Sequence, residues 1–257
     1  MTPETQTDRH WSERAASVAL DHEVNLMDVF QRELEFDQVC ADLREEMNVL
    51  EAGCGNGFST NRFRSLVRHV DAFDKSSEMI ERAQRTFGET NNRFIEDDVL
   101  DPRFVRHQYD CVICVRVLIN LSDTGAQKVA LHNLAGRVRA GGTLLLAEGF
   151  REGFVKLSEL RQQVNLPPVV PAAINHYSSW DDLAPVVAES FDIVRTWHLG
   201  MYDYLTRALY PLVVGPDNAK HNTNFSESCQ QLAAVFNPES MADFSRMRGF
   251  VLRKRTA

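Results

Sequence analysis

The sequence predicts an α/β protein with a doubly wound, Rossmann-like sheet. Three observations support this class. Short β-type runs alternate with helical patterns from residue 47 onward, a glycine-rich turn joins the first run to the first helix, and residues 109–115 form the most apolar stretch up to that point. A parallel strand covered by helices on both faces has this composition. In such folds, ligands bind at the carboxyl ends of the strands.

The composition indicates a soluble globular protein, and the length fits either one core with insertions or two small domains, of which we assume the first. The chain has 257 residues, of which 44% are hydrophobic and 25% charged, and no run approaches the roughly 18 apolar residues of a membrane span. Residues 1–14 lack the pattern of a secretory signal, so we expect a cytoplasmic protein. The net charge of −8 argues against nucleic acid as a partner. We expect a small-molecule substrate, no membrane, and a monomer or homodimer.

The cysteine content predicts no metal site. Of five cysteines, only Cys111 and Cys114 are close in sequence, and they lie in a β-type run. Residues three apart in a strand face opposite sides of the sheet, so this pair does not readily converge on one zinc ion. We interpret both as buried free thiols.

The order of elements can be followed along the chain. Residues 10–46 show helical periodicity without Pro or Gly, which predicts two helices, and we assign residues 1–46 to an N-terminal lid. The core, residues 47–257, begins with strands alternating with helices. The predicted strands are 47–52, 70–73, 93–95, 109–115 and 143–148, and the predicted helices are 59–68, 76–86 and 124–138.

The regular alternation ends after Glu148. We predict a helix near 158–164, then a proline-rich loop, then strands at 191–198 and 249–253 separated by a helix near 226–236. Long excursions from a compact sheet usually form lids or binding walls. We therefore assign residues 149–189 and 199–245 to helical cap insertions on the substrate side.

The segment 51–57, Glu-Ala-Gly-Cys-Gly-Asn-Gly, carries the strongest functional signal. Its glycines alternate after a strand and before a helix, where positive φ and close approach of a ligand to the backbone are needed. A dinucleotide fingerprint would place its third glycine one position later, at Phe58. The loop therefore predicts a site for a polar ligand, and it argues against an NAD-dependent oxidoreductase.

This segment resembles the first motif of the class I S-adenosylmethionine (SAM)-dependent methyltransferases, an acid followed by three alternating glycines. The resemblance implies that the loop residues Gly53, Cys54, Gly55 and Asn56 lie against the methionyl part of SAM and that Glu51 meets its ammonium group. It also implies seven strands in the order 3-2-1-4-5-7-6, with the last antiparallel, and S-adenosylhomocysteine (SAH) as product.

Two acids at later strand ends extend the resemblance. Asp74 follows the second strand, where it either accepts the ribose hydroxyls or caps the next helix, and it is followed by Lys75 and Met79 as in the family's second motif. Asp98 matches the acid that accepts from the adenine amino group, with Val99 packing on the base. Three consecutive acids at 96–98 are also typical of a solvated loop.

Two further segments resemble cofactor-binding parts of the family. Val115 and Arg116 follow the buried strand, where cofactor and substrate meet, and Arg116 faces either the ligand or a carboxylate elsewhere. Trp11 resembles an aromatic residue that closes over SAM in many relatives, or else it belongs to the core.

The chemistry requires little of the protein, because the sulfonium methyl is already electrophilic and must mainly be held in line with a nucleophile. A base is needed only when the nucleophile carries a proton. Four residues are candidates for catalysis or substrate binding: His176 and Glu148 as bases, and Arg161 and Arg207 as partners of an anionic substrate.

We therefore expect methyl transfer to an oxygen or nitrogen of a small polar metabolite. The alternatives are a SAM-binding sensor without catalysis, an oxidoreductase, and a nucleic-acid methyltransferase. The last is disfavoured by the acidic charge and by the absence of an Asn/Asp-Pro-Pro-aromatic tetrapeptide.

Overall fold

Seven strands form one sheet in the order β3-β2-β1-β4-β5-β7-β6, as the resemblance implied. The computed structural model describes residues 6–19, 21–24, 27–103, 105 and 107–256, with the side chains of 22 and 23 excepted. Strand β7 pairs antiparallel with both neighbours, and all other pairs are parallel. The strands are β1 Asn48–Ala52, β2 His69–Asp74, β3 Asn92–Glu96, β4 Tyr109–Val115, β5 Val138–Gly149, β6 Phe191–His198 and β7 Met247–Lys254.

Helices cover both faces of the sheet and its carboxyl edge. They are α1 Gln6–Ser17, α2 Asp21–Val24, α3 Val29–Cys40, α4 Phe58–Phe63, α5 Ser77–Phe87, α6 Thr124–Arg137, α7 Arg151–Gln163, α8 Trp180–Ser190, α9 Gly200–Tyr204, α10 Tyr210–Val214 and α11 Asn224–Val235. A π-helical turn, Leu205–Leu209, joins α9 to α10. No described helix has both the length and the apolar character needed to cross a membrane.

Three predicted helical regions differ in the structure. The N-terminal region contains three helices rather than two, and residues 1–5, 20, 25 and 26 of the predicted lid lie outside the described residues. Helix α4 ends at Phe63 because a tight turn follows, in which the Leu66 N–H donates to the Phe63 carbonyl. Helix α8 lies in the first predicted cap insertion after the proline-rich loop, where no second helix was predicted.

Helix α8 forms despite Pro185 because its first turn is strongly capped. The Ser179 hydroxyl accepts from the Asp182 N–H, and the Asp182 carboxylate accepts from the Ser179 N–H, which makes a reciprocal capping box. The helix then buries Leu183 and Val187 against α6 and the sheet. Capping and burial thus outweigh the cost of the internal proline.

The buried strand β4 separates two apolar layers. Cys111 packs in the layer with Val49, whereas Cys114 packs in the opposite layer with Leu50. Both thiols are fully buried, and all five cysteines of the chain are free. The interpretation of this pair as buried free thiols is confirmed, because the strand directs the two side chains to opposite faces.

Helix α1 is tied to the core through Arg82 of α5. The Arg82 guanidinium donates to the carbonyl groups of Ala15 (2.8 Å) and Val18 (2.7 Å) and to the Asp21 carboxylate (2.7 Å). These bonds satisfy the carboxyl end of α1 and hold the turn after it. Helix α1 therefore lies beside the carboxyl end of β2, where it can cover a bound ligand.

Two helical glycines give a matched test of packing. A Cβ at Gly153 in α7 would lie 1.9 Å from the Ser245 carbonyl oxygen, whereas a Cβ at Gly136 in α6 would meet nothing within 4 Å. We expect Gly153→Ala to lower the free energy of unfolding by about 3 kcal/mol because backbone must move. Gly136→Ala should raise it by about 0.5–1 kcal/mol. Urea unfolding measures both, and equal effects would contradict this packing.

Candidate active site

A large cleft opens at the carboxyl ends of β1, β2 and β4. Its volume is about 1460 Å³, and its walls come from the loops after these strands, from α1 and α3, and from residues 169–177. Pockets for one drug-sized ligand usually measure about 300–1,000 Å³. The cleft therefore has room for a large cofactor and a second small molecule.

The glycine loop forms the floor of this cleft. Gly53, Gly55 and Gly57 have φ angles of +66°, +53° and +79°, a region that L side chains rarely occupy. A Cβ on Gly53 would lie 2.5 Å from a methyl group of Val117. Gly53 and Gly55 line the cleft, so the alternation of glycines serves both the turn and the approach of a ligand.

The structure does not place the side chains of Cys54 and Asn56 in the cleft. The Cys54 thiol is fully buried in the core, and burial raises its pKa well above the usual value. The Asn56 side chain donates to the Asp21 carbonyl at 2.9 Å and so ties the loop to α2. Gly53 and Gly55 thus line the cleft, while the side chains of Cys54 and Asn56 anchor the loop.

Glu51 lies beside the loop and lines the cleft at the end of β1. Its carboxylate accepts hydrogen bonds from the hydroxyl groups of Ser59 and Thr60, the latter at 2.5 Å. Burial raises the pKa of Glu51 to about 7; the two hydroxyl groups oppose this shift, and the charge of Asp74 adds to it. A buried carboxylate of this kind is stabilised by a cation such as an ammonium group.

Asp74 joins the glycine loop to the start of α5. Its carboxylate accepts from the Gly55 N–H at 2.9 Å and from the Ser76 N–H at 3.0 Å. The N-cap of α5 is Ser76, whose hydroxyl accepts from the Met79 N–H, so Asp74 is not the helix cap itself. Asp74, Lys75 and Met79 all line the cleft, and the Lys75 ammonium lies 3.1 Å from the Asp8 carboxylate.

The acids after β3 have separate positions. Asp97 is buried and accepts the backbone N–H groups of Asp98, Arg103 and Val105 at 2.9–3.1 Å, which fixes the loop. Asp98 is more exposed, lines the cleft, and uses Oδ1 to cap the Leu100 N–H at 2.9 Å. Val99 is buried at the same edge. The structure thus brings Asp98 and Val99, as predicted, to the cleft.

The loop after β4 faces the cleft with Val115 and Arg116. Arg116 has a φ of +58°, and its guanidinium forms a bidentate pair with Glu35 at 3.0 and 2.5 Å. Burial alone would lower the pKa of Arg116, but the charge of Glu35 raises it above the usual value. Of the two predicted orientations, Arg116 adopts the one that faces a carboxylate while it still lines the cleft.

Glu148 lies beneath the cleft rather than at its rim. It is 1% exposed and accepts from the N–H groups of Val117 (2.8 Å), Leu118 (2.8 Å) and Ile119 (3.3 Å). Burial raises the pKa of Glu148 to about 7, while these bonds oppose the shift. Because its oxygens are occupied by the loop, Glu148 is a positioning residue and not a base that reaches substrate.

His176 and Trp11 lie on opposite sides of the loop after β4, and both line the cleft. The His176 N–H donates to the Ile119 carbonyl at 2.7 Å, and its Nε2 is 3.1 Å from the Thr124 hydroxyl. Trp11 donates from its indole to the Asn120 side chain at 3.2 Å. Trp11 therefore belongs to the cleft wall, where α1 meets the loop, rather than to the sheet core.

One segment of the chain matches a known protein family. Residues 49–142 match a protein family described as a methyltransferase domain. This match confirms the resemblance of residues 49–142 to the class I SAM-dependent methyltransferases. The matched segment runs from β1 into β5 and contains the glycine loop, Asp74 and Asp98.

Individual methyltransferases resemble parts of the chain. An uncharacterised methyltransferase of Mycobacterium tuberculosis is 31% identical over 96 residues, 37% of this chain and 47% of that relative. The chain thus spans about half the length of this relative. A malonyl-[acyl-carrier protein] O-methyltransferase of Erwinia billingiae is 28% identical over 178 residues, which are 69% of this chain and 62% of that relative. The fold resembles that of the N-methyltransferase NodS of Bradyrhizobium japonicum, whose structure was solved with SAH. The TM-score is 0.60 at 13% sequence identity, and the match covers 98% of this chain and 100% of NodS.

Sequence reasoning missed a charged wall on the other side of the cleft. Its members are buried or half-buried polar residues from α3, α9, the loop after β4 and the segment before β7, joined in a chain of hydrogen bonds. The chain runs from Arg116 to Glu35, then through Gln31 to Arg246 and on to Asp203. The signal was weak because Gln31 and Glu35, at helical spacing, resemble the solvent face of α3.

The two remaining predicted arginines are separated by this wall. Arg207 lines the cleft and pairs with the buried Asp28 at 2.6 Å. Arg161 does not line the cleft; its Nε donates to the Pro167 carbonyl at 2.5 Å, and it also donates to the Arg207 carbonyl. Arg161 thus supports the backbone that carries Arg207 and lies behind the wall.

The shifted pKa of Glu51 predicts a pH effect on stability. Its pKa of about 7 in the folded protein exceeds the value of 4.5 expected when unfolded, so the folded state retains a proton that the unfolded state releases between these values. Stability from this group therefore falls as pH rises through that window, by up to about 1.4 kcal/mol per pH unit. Glu51→Gln should make the fall in stability shallower, as measured by urea unfolding from pH 5 to 8, and leave the part that Glu148, with a pKa of about 7, contributes over the same window.

The exposed Glu159→Gln serves as the control for this measurement. It should leave the pH profile of the wild type unchanged. A Glu51→Gln profile parallel to that of the wild type would show that Glu51 does not retain the proton.

Proposed function

We propose that this protein transfers the methyl group of SAM to an oxygen or nitrogen of a small polar metabolite. The observation that carries the proposal is the row of carboxylates along one side of the cleft: Glu51, Asp74 and Asp98. Their order along the strand ends matches the ammonium, ribose and adenine amino groups of SAM. Each of these three groups donates hydrogen bonds, and carboxylates accept them.

The residues present fit SAM in polarity as well as in order. Gly53 and Gly55 leave the backbone open to the methionyl chain, and Val99 and Met79 supply apolar surface beside the adenine position. Residues 1–46, with Trp11 on α1, would act as a lid over the bound SAM. When bound, SAM supplies an electrophilic methyl group at its sulfonium.

The chain's own part in the reaction is to hold the acceptor and remove its proton. His176 lines the cleft with its ring fixed through Nε2 by Thr124. In the tautomer whose Nε2–H donates to Thr124, Nδ1 carries no hydrogen and can accept a proton from a hydroxyl or ammonium group. Glu148 holds the 117–119 loop at the junction of the two ligand positions, which keeps the geometry in line for transfer.

The comparisons support an oxygen or a nitrogen as the methylated atom. The names of relatives and of similar structures include both O- and N-methyltransferases. The charged wall of the cleft, with Arg116, Arg207 and Arg246, suits an acceptor that carries polar or charged groups. We further infer a cytoplasmic protein, active as a monomer or homodimer, that does not bind nucleic acid.

Binding of SAH tests the cofactor site. Asp98→Asn keeps an oxygen for the Leu100 N–H but replaces the cleft-facing acceptor by a donor that opposes the adenine amino group. We expect SAH affinity to fall about tenfold, in line with loss of one hydrogen bond to a charged group. Isothermal titration calorimetry measures the change.

Asp101→Asn is the matched control, because Asp101 pairs with Arg103 at the surface outside the cleft. It should bind SAH like the wild type. Binding of NAD but not of SAM or SAH by the wild type would contradict the proposed cofactor.

His176→Ala tests the proposed base. With acceptors that carry a hydroxyl or amino group, we expect kcat to fall about 100-fold, since general base catalysis typically contributes this much or more. The Kd for SAH should stay within about twofold. The assay measures SAH released from SAM with a panel of hydroxy acids, amino acids and malonyl thioesters.

His132→Ala, on the exposed surface of α6, is the control and should leave kcat unchanged. Unaltered turnover in His176→Ala would remove His176 from the mechanism. SAH binding without turnover on any acceptor would instead favour a SAM-binding sensor.

A further inference from the structure

A second, smaller pocket lies behind the charged wall. Its volume is about 160 Å³, and Arg161, Thr206, Lys220 and Ser226 line it. Arg207 and His221 line both this side pocket and the main cleft. The two spaces are therefore neighbours, separated by this pair of side chains, and the side pocket can hold a group of several heavy atoms.

Arg161 is a buried cation at this side pocket without a described acidic partner. It is 8% exposed, and its recorded bonds go to the backbone carbonyls of Pro167 and Arg207. Burial lowers the pKa of Arg161, and no neighbouring acid opposes the shift. Buried charges are normally paired, because an isolated one costs several kcal/mol. An anion in the pocket would supply the missing partner.

The other charges at the side pocket leave an excess of positive charge. Lys220 is exposed and forms no ion pair within the described part of the chain. His221 lies 3.3 Å from Asp28, and Arg207 pairs with the same carboxylate at 2.6 Å. Asp28 lines the main cleft, and no carboxylate among the described residues lines the side pocket. Asp203 also lies 4.0 Å from Arg207 and pairs with Arg246. Two acids outside the side pocket thus face the four basic groups Arg161, Arg207, Lys220 and His221.

Hydroxyl groups and an unusual backbone complete the side pocket. Thr206 and the buried Ser226 are both at its wall, and the Thr206 hydroxyl already donates to the Tyr202 carbonyl at 2.7 Å. Thr206 and Arg207 lie in the π-helical turn, a rare conformation that is frequent at functional sites. This turn places the Arg207 carbonyl against Arg161 while the Arg207 side chain reaches Asp28.

We propose that the side pocket binds an anionic group, a carboxylate or a phosphate, of the methyl acceptor. The acceptor's reacting end would lie in the main cleft and its anionic end would pass the Arg207–His221 pair. The assignment of the anion to the acceptor rests on the proposed function. Binding of the anion itself does not, because the side pocket is built without any residue of the cofactor side.

Small anions test the side pocket independently of methyl transfer. Inorganic phosphate and acetate are titrated separately into the full-length protein at constant ionic strength with chloride, and the thermal midpoint is recorded. We expect the thermal midpoint to rise saturably with at least one of these anions. The anion that raises it shows whether the side pocket prefers a phosphate or a carboxylate. Lys220→Met should weaken that binding about fivefold to tenfold, as expected for loss of one charged contact.

Lys156→Met is the matched control, because Lys156 is an exposed lysine on α7 away from the pocket. It should bind the anion like the wild type. Arg161→Gln should lower the anion affinity further than Lys220→Met does, in a protein whose fold circular dichroism shows to be intact. No saturable rise with either anion, or an equal rise in Lys220→Met, overturns the proposal. SAH binding measured on the same samples shows whether the proposed function fails separately.

Discussion

The site depends on buried carboxylates that hold backbone N–H groups at the ends of the strands. Asp74 fixes the glycine loop, Asp97 the loop after β3, and Glu148 the loop after β4. A hydrogen bond to a carboxylate is stronger than one between neutral groups, and a buried carboxylate without donors is costly. The cleft therefore has walls of irregular backbone that are nevertheless held in one geometry.

The charged wall is a second network of buried polar groups around the same cleft. It joins α3 to the segments near β7, so the cleft is closed by groups that are distant in sequence: Gln31 and Arg246 are 215 residues apart. Removing one member of a buried ion pair leaves a charge without a partner, which costs about 3–5 kcal/mol. The wall thus couples the stability of the cap to the polarity of the space where an acceptor would bind.

Burial also separates residues that look equivalent in sequence. Asp97 and Asp98 are adjacent acids that both line the cleft, yet Asp97 is buried and holds the backbone of its loop while Asp98 is more exposed. Arg161 and Arg207 are both arginines of the cap, yet one supports the other's backbone from behind. Glu148 shows the same division, because a carboxylate at a strand end can hold the loop or face the ligand, but here its oxygens are occupied.

The sequence by itself determined the strand series, the strand order through the family resemblance, and the placement of Glu51, Gly53, Gly55, Asp74 and Asp98 at the strand ends that line the cleft. These features are local, since strand period, glycine conformation and an acid at a strand end are set within a few residues. Only the tertiary structure decided that Glu148 and Arg161 lie outside the lining of the main cleft, how the side chains of Cys54 and Asn56 are oriented, and which residues form the charged wall. Those depend on which distant segments meet, and polar residues on an amphipathic helix such as α3 show the same pattern whether they face water or a buried partner.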